Sequence, residues 1–201
     1  ARTTTGGWVG GNAPGITPIQ YYLKDRANGD LKVLIKDAEG KLVQEIPGGK
    51  RKGLNRIFWN LRMTPSKVAS GGTKVDYAAL NAPQVLPGKY NIEITLNGKV
   101  YNTPFNVKHD AGNKDLNEAQ RKHLYDQNMR LYRAHEQLAG VVEGVAAKQQ
   151  VLKTAMDKLK NAKTKKLAET YWNKLEEFRS TLLATKQTSV FADEKKLREE
   201  I

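Results

Sequence analysis

The chain has 201 residues and a mass of 22.5 kDa, with 39% hydrophobic and 27% charged residues, enough to bury a core and too apolar for wholesale disorder. It contains no cysteine, which excludes disulfides, thiolate metal sites and cysteine nucleophiles, and no apolar run approaches the roughly 20 residues that span a bilayer. Its net charge of +13, from 34 basic and 21 acidic residues, is spread over both halves, a weaker signal for nucleic acid than a concentrated stripe.

The chain begins at Ala1, as expected of a processed protein or of a piece of a longer one. In Gly6-Gly7-Trp8-Val9-Gly10-Gly11, glycine disfavours regular structure. Residues 1–15 are therefore read as a flexible or docking segment. Trp8 is expected to dock onto the sandwich that follows or onto a preceding domain. Strand signals come next. Ile19, Tyr21 and Leu23 alternate; Leu31–Lys36 and Leu42–Ile46 flank Glu39-Gly40 as a hairpin; Ile57, Trp59 and Leu61 alternate again. Thr64–Pro83 has no clean period and predicts a long surface loop. In Tyr90–Leu96 the residues Tyr90, Ile92, Ile94 and Leu96 share one face, and Asn97-Gly98 predicts a type I′ turn into a strand running to Val107. About six or seven short strands at this spacing describe a β-sandwich over residues 16–110. Val33, Ile35, Ile57, Trp59, Tyr90, Ile92 and Ile94 are its expected core.

The period then changes. All 7 prolines, and all 17 glycines except Gly112, Gly140 and Gly144, lie before residue 111. Leu124, Leu131, Leu138, Val145, Leu152 and Leu159 recur every seven residues, which predicts one long helix over 115–161 or two halves broken near Gly140–Gly144. Leu167, Tyr171, Leu175, Phe178 and Leu182 mark a return helix over 164–186. Asp193 is a candidate cap for a third, with Leu197 and Ile201 buried. The return helix covers only the distal half of the long one, so Leu124, Leu131 and Leu138 need another cover: the sandwich, the third helix or a separate protein. The expected fold class is α+β with segregated domains, a sandwich followed over residues 111–201 by a helical hairpin or small bundle truncated at its C-terminus.

No pattern supports catalysis. His123 and His135 point about 120° apart on one helix, and His109 stands in the junction. Glu176-Glu177 and Glu199-Glu200 diverge as helical neighbours, and no serine sits in a nucleophile elbow. The double glycines do not lead into a phosphate-binding helix. No catalytic, cofactor-binding or metal-binding residue is therefore assigned, and no cofactor is expected. Lys50-Arg51-Lys52 marks a hairpin tip and is the candidate contact for an acidic glycan. The lysines of 158–166 complement a helix C-terminus. Without interleaved aromatics, neither cluster favours nucleic acid.

Several segments together resemble a known family. Leu31–Val43 is similar to the first hairpin of the Ig-like domain in flagellar hook-capping proteins and bacterial surface proteins. Gly53–Arg62 resembles that domain's tryptophan strand, and Leu86-Pro87-Gly88-Lys89-Tyr90 the lead-in to its last hairpin. With Tyr21-Tyr22-Leu23-Lys24 and the helices, residues 12–145 resemble the C-terminal region of bacterial sortilin-like proteins with BNR-type β-propeller repeats. The resemblance implies an exported protein, periplasmic or on the cell surface, in which a propeller precedes this region. Any glycosidase activity would belong to that propeller, whose repeats are not seen here. The function expected is a non-catalytic protein-interaction module whose partner is another protein or the preceding propeller, with Trp8, Leu124, Leu131 and Leu138 as contacts. The alternative is an accessory glycan-binding domain of a sialidase-like or other glycan-active enzyme, using Lys50, Arg51 and Lys52.

Overall fold

The computed structural model describes residues 16–71, 82–110, 112, 115–184 and 196–201. It combines antiparallel sheets with long helices, an α+β fold in two compact units. The first unit holds strands β1 (Thr17–Leu23), β2 (Lys32–Asp37), β3 (Leu42–Pro47), β4 (Gly53–Trp59), β5 (Gly88–Leu96) and β6 (Lys99–Val107). Two sheets form: β1 pairs with β4, and four strands run in the order β3-β2-β5-β6.

Local chemistry explains the hairpins. Asn97 and Gly98 both have positive φ, 51° and 78°, the pair of values a type I′ turn requires, so Leu96 pairs with Lys99. In the first hairpin the Asp37 carboxylate accepts from the Glu39 and Lys41 backbone N–H groups at 3.2 and 2.8 Å, and Gly40 takes φ 81°. The ladder shifts register between Ile35 and Lys36 to accommodate this turn. The tryptophan strand is shorter than its alternation suggests. It stops at Trp59, because Leu61 sits at φ 56° and gives its carbonyl to the Val85 N–H instead of to a ladder.

The two sheets close on one core. Ile19 and Trp59 from the small sheet meet Ile35 and Val43 from the large one, and Trp59 packs edge-on to Tyr90 and Phe105 at 5.9 Å. The Tyr90 hydroxyl donates to the Leu86 carbonyl at 2.7 Å, the tyrosine corner of immunoglobulin-like sandwiches, and β3-β2-β5-β6 has their C′CFG strand order. Val33, Ile35 and Trp59 are fully buried as expected. Ile57, Tyr90, Ile92 and Ile94 are only half-buried. The inner face of the large sheet is four strands wide and faces two, so part of β5 and β6 lacks an opposing strand among the described residues.

The second unit contains α1 (Glu118–Met156), α2 (Ala162–Leu182) and the single turn α3 (Leu197–Glu200). Asn117 caps α1 through a reciprocal pair with Gln120, and Asn161 caps α2. α1 is continuous through Gly140 and Gly144, which excludes the two-helix alternative, and its 39 residues extend about 58 Å at 1.5 Å each. The Gln149 amide donates to Glu176 at 2.9 Å, tying α1 to α2. Leu138, Ala139 and Val142 of α1 pack with Leu182, Leu183 and Ala69, with Ile201 against them.

Ala69 belongs to the segment expected to be a surface loop of the sandwich. Ser66, Ala69, Ala82 and Pro83 are instead buried, and the described part of 65–83 is a component of the helical unit. Its irregular backbone carried no period, yet its small residues fit beside the helices. Lys67 anchors it to Glu143 of α1 at 2.6 Å.

Candidate interaction surfaces

In the sandwich unit the two outer sheet faces differ in kind. The outer face of the large sheet carries polar pairs, Lys32–Glu45, the part-buried Lys36–Glu93 and Asn91–Asn102, at 2.8, 2.6 and 2.9 Å. Lys32 is pushed above its ordinary value by its hydrogen bond to Glu45. The outer face of the small sheet is apolar at both ends. Alternation directs Pro18, Gln20 and Tyr22 of β1 outward, opposite Phe58, Arg56 and Leu54 of β4. Tyr22 is 69% exposed, Leu54 66% and Phe58 52%. Between the two apolar pairs, Gln20 with its amide oxygen toward Arg56 accepts from Nε and Nη2 at 3.0 and 2.9 Å. Counting only large hydrophobic residues along β4 overlooks this face. The readable signal was Leu54, Phe58 and Tyr22 on the wrong parity for the core.

Beside β1 runs a groove of about 770 Å³, floored by Ile92, Ile94 and Leu96 of β5 and by Tyr101, Thr103 and Phe105 of β6. Its wall is β1 and the chain to Ala27. At that wall Tyr21 donates to the Gly49 carbonyl at 2.7 Å, and burial raises its hydroxyl above the ordinary range against the pull of that bond.

Lys50, Arg51 and Lys52 lie on the connection from β3 to β4, which pair in different sheets, so they do not form the expected hairpin tip. Asn55 shapes this connection, donating to the Arg51 and Gly53 carbonyls at 2.8 and 3.1 Å and accepting from the Arg51 N–H. Two of its charges face carboxylates of the neighbouring 25–30 segment: Lys50 reaches Asp30 at 3.2 Å and Lys52 reaches Asp25 at 3.8 Å. Lys50, Arg51 and Lys52 therefore lie together, but with acidic groups among them that an acidic glycan would have to displace.

In the helical unit the heptad seam divides. Leu124 and Leu131 are exposed, whereas Leu138 is buried in the core with Leu182 and Leu183 and is corrected from contact residue to core residue. At 3.6 residues per turn Leu131 and Leu124 stay within the arc spanned by Val145, Leu138, Val142 and His135, so the repeat does not expose them; no described residue covers that part of α1. His135 and Met129 are the other buried residues of α1 on the N-terminal side of Leu138. On α2, Leu167, Tyr171 and Phe178 are exposed, and Trp172 and Leu175 are half-buried. Trp8 lies outside the described residues, as does Asp193.

Two polar groups of this unit escaped sequence reading. His135 is buried with its Nδ1 unpaired, and burial lowers its pKa below the usual 6.5. Arg198 is 3% exposed, on a turn whose Leu197, expected inside, is exposed. Its guanidinium donates to the Ala69 and Gly71 carbonyls at 3.1 and 2.6 Å and pairs with Glu199 at 2.8 Å. Glu199 in turn accepts from the Ala184 N–H at 3.3 Å. Elsewhere, Arg179 and then Gln149 hydrogen-bond Glu176 and hold its carboxyl below the usual range. Burial, then Glu136, raises Tyr132.

Among the described residues no group of three or more His, Asp or Glu is placed to hold a metal ion, and no helix is long and apolar enough to cross a membrane. No protein-family model matches the chain, and no curated protein matches it.

Proposed function

We propose that this chain is a non-catalytic protein-interaction module of an exported protein, the C-terminal part of a larger propeller protein, working in the periplasm or at the cell surface. The export and the propeller rest on the sequence resemblance. The interaction role rests on one observation: the outward face of the β1–β4 sheet carries Pro18, Tyr22, Leu54 and Phe58 exposed around Arg56, while the other outer face carries polar pairs. Apolar faces rimmed by polar groups mark protein contacts more often than isolated exposed side chains do. Tyr and Arg are the residues that anchor such contacts. Leu124 and Leu131 offer a second, smaller apolar row on α1.

The test is site-specific photocrosslinking from position 54 in the native host, followed by identification of the adduct. One recurrent protein, or the upstream part of the same polypeptide, is expected, and Tyr22→Lys should abolish the adduct with the fold retained. Crosslinks only to polysaccharide, lost on changing Lys50 and Lys52 to Glu, would favour the glycan-binding alternative. No recurrent adduct would overturn both readings of this face.

A further inference from the structure

Lysine gathers where α1 turns into α2. Over residues 153–166 stand Lys153, Lys158, Lys160, Lys163, Lys165 and Lys166, against one acidic residue, Asp157. All six lysines are exposed, and among the described residues none of their ammonium groups has an ion-pair partner. The dipole of α1 accounts for half of them. Lys153 lies in its last turn, and Lys158 and Lys160 follow its C-terminus, where the free carbonyls carry partial negative charge. It does not account for Lys163, Lys165 and Lys166. These open α2, at the positive end of that helix, whose first turn has no acidic residue. Three cations there repel the helix end and one another, and no described carboxylate pairs with them.

Apolar side chains lie beside this charge. Leu167 is 70% exposed and borders a shallow hollow with Lys163, Lys166, Thr164 and Thr170. At 3.6 residues per turn, Tyr171 and Phe178, both exposed, fall within about 40° of Leu167 around α2. Lys163 and Lys174 fall on the same strip. Glu176, which bonds Gln149 of α1, lies on the opposite side of the helix, so the strip faces away from that contact.

We propose that this strip and the lysine end of the hairpin rest together on an anionic lipid bilayer, with α2 lying on the surface. Charge complementarity identifies the occupant. Lysine supplies all six cations at the turn. Its ammonium is a compact point charge suited to a diffuse field of headgroups, whereas the planar fork of arginine serves bidentate recognition of one carboxylate or phosphate. Clustered lysines beside exposed leucine and aromatic side chains describe a helix held at a lipid interface: the charges meet the headgroups, and the hydrocarbon enters the upper acyl region. A soluble polyanion would satisfy the charge and leave Leu167 wet. This surface is separate from the β1–β4 face, and the proposal does not depend on the reading of that face.

The test is sedimentation of the full chain with vesicles of phosphatidylglycerol and phosphatidylcholine in about equal amounts, compared with phosphatidylcholine alone. Binding to the anionic vesicles only, weakening steeply with added salt, is expected. Lys163→Glu, Lys165→Glu and Lys166→Glu combined should lower the partition on the order of a hundredfold. The same change puts acidic residues at a helix N-terminus, so the helical melting transition should stay or rise, which separates lost binding from lost fold. Lys89→Glu, Lys99→Glu and Lys108→Glu combined remove equal charge from the sandwich unit and should lower the partition far less. Leu167→Ser should lower it about tenfold at constant charge. Equal losses from the two triple variants, an unaffected Leu167→Ser, no binding to the anionic vesicles, or equal binding to both kinds would each overturn the proposal. So would displacement from the vesicles by double-stranded DNA or an acidic polysaccharide at matched charge.

Discussion

At the scale of single residues, the helical unit depends on two buried polar side chains with opposite characters. Arg198 is satisfied: its donors meet two carbonyls and the Glu199 carboxylate. Removing it leaves a half-buried carboxylate and two carbonyls without their partner, so Arg198→Ala should destabilise the helical unit by about 3–5 kcal/mol. Urea titration followed by far-ultraviolet circular dichroism measures this. A replacement that keeps the stem and loses the charge, Arg198→Met, should recover only part, because the Ala69 and Gly71 carbonyls stay unpaired. His135 is unsatisfied, and burial disfavours its imidazolium. Below the ordinary value of 6.5 the unfolded chain binds a proton that the fold resists. Its contribution to stability is thus complete above that pH and is lost as the pH falls below it. The helical transition should weaken from pH 7 to pH 5, and His135→Leu should flatten that slope.

At the scale of elements, turns and corners carry the sandwich. Gly98 has φ 78° and open space around its missing Cβ. Gly98→Ala therefore costs only backbone strain, about 1 kcal/mol, with no clash to add to it. Tyr90→Phe deletes the hydroxyl that donates to Leu86 but keeps the ring packed on Trp59 and Phe105. The loss should be about 1 kcal/mol, read from the midpoint of the Trp59 fluorescence transition. Ile92 is half-buried beside the groove, so Ile92→Ala should fall at or below the low end of the roughly 2–5 kcal/mol typical of a core isoleucine. α1 makes the complementary point. Its length and caps follow from local sequence, but which leucines of the row are buried depends on what lies against them: Leu138 clusters with Leu182 and Leu183, whereas Leu131 stays exposed.

At the scale of the whole molecule there are separate cores, one around Trp59, Ile35 and Val43 and another around Leu138, Val142 and Leu183. They share no residue, so cavity mutations should be sensed locally. Ile35→Ala should lower the transition seen by Trp59 fluorescence, and Leu183→Ala the helical transition at 222 nm, each by about 2–5 kcal/mol. In the combined variant each signal should report only its own single-site loss, to within about 0.5 kcal/mol.

Taken alone, the sequence determined the features encoded by neighbours along the chain. The alternation in Tyr90–Leu96, the Asn97-Gly98 turn and the proline-free second half specify strands, a hairpin and helices, because strand parity and turn φ values are local properties. Tertiary structure decided what depends on which face meets which. It buried Leu138 and left Leu131 wet, drew Ala69 into the helical core, closed Arg198 onto the Ala69 and Gly71 carbonyls, and turned Tyr22, Leu54 and Phe58 outward together. Each of these outcomes joins residues far apart in the chain, and burial is set by the partner surface rather than by the period of the residues that meet it.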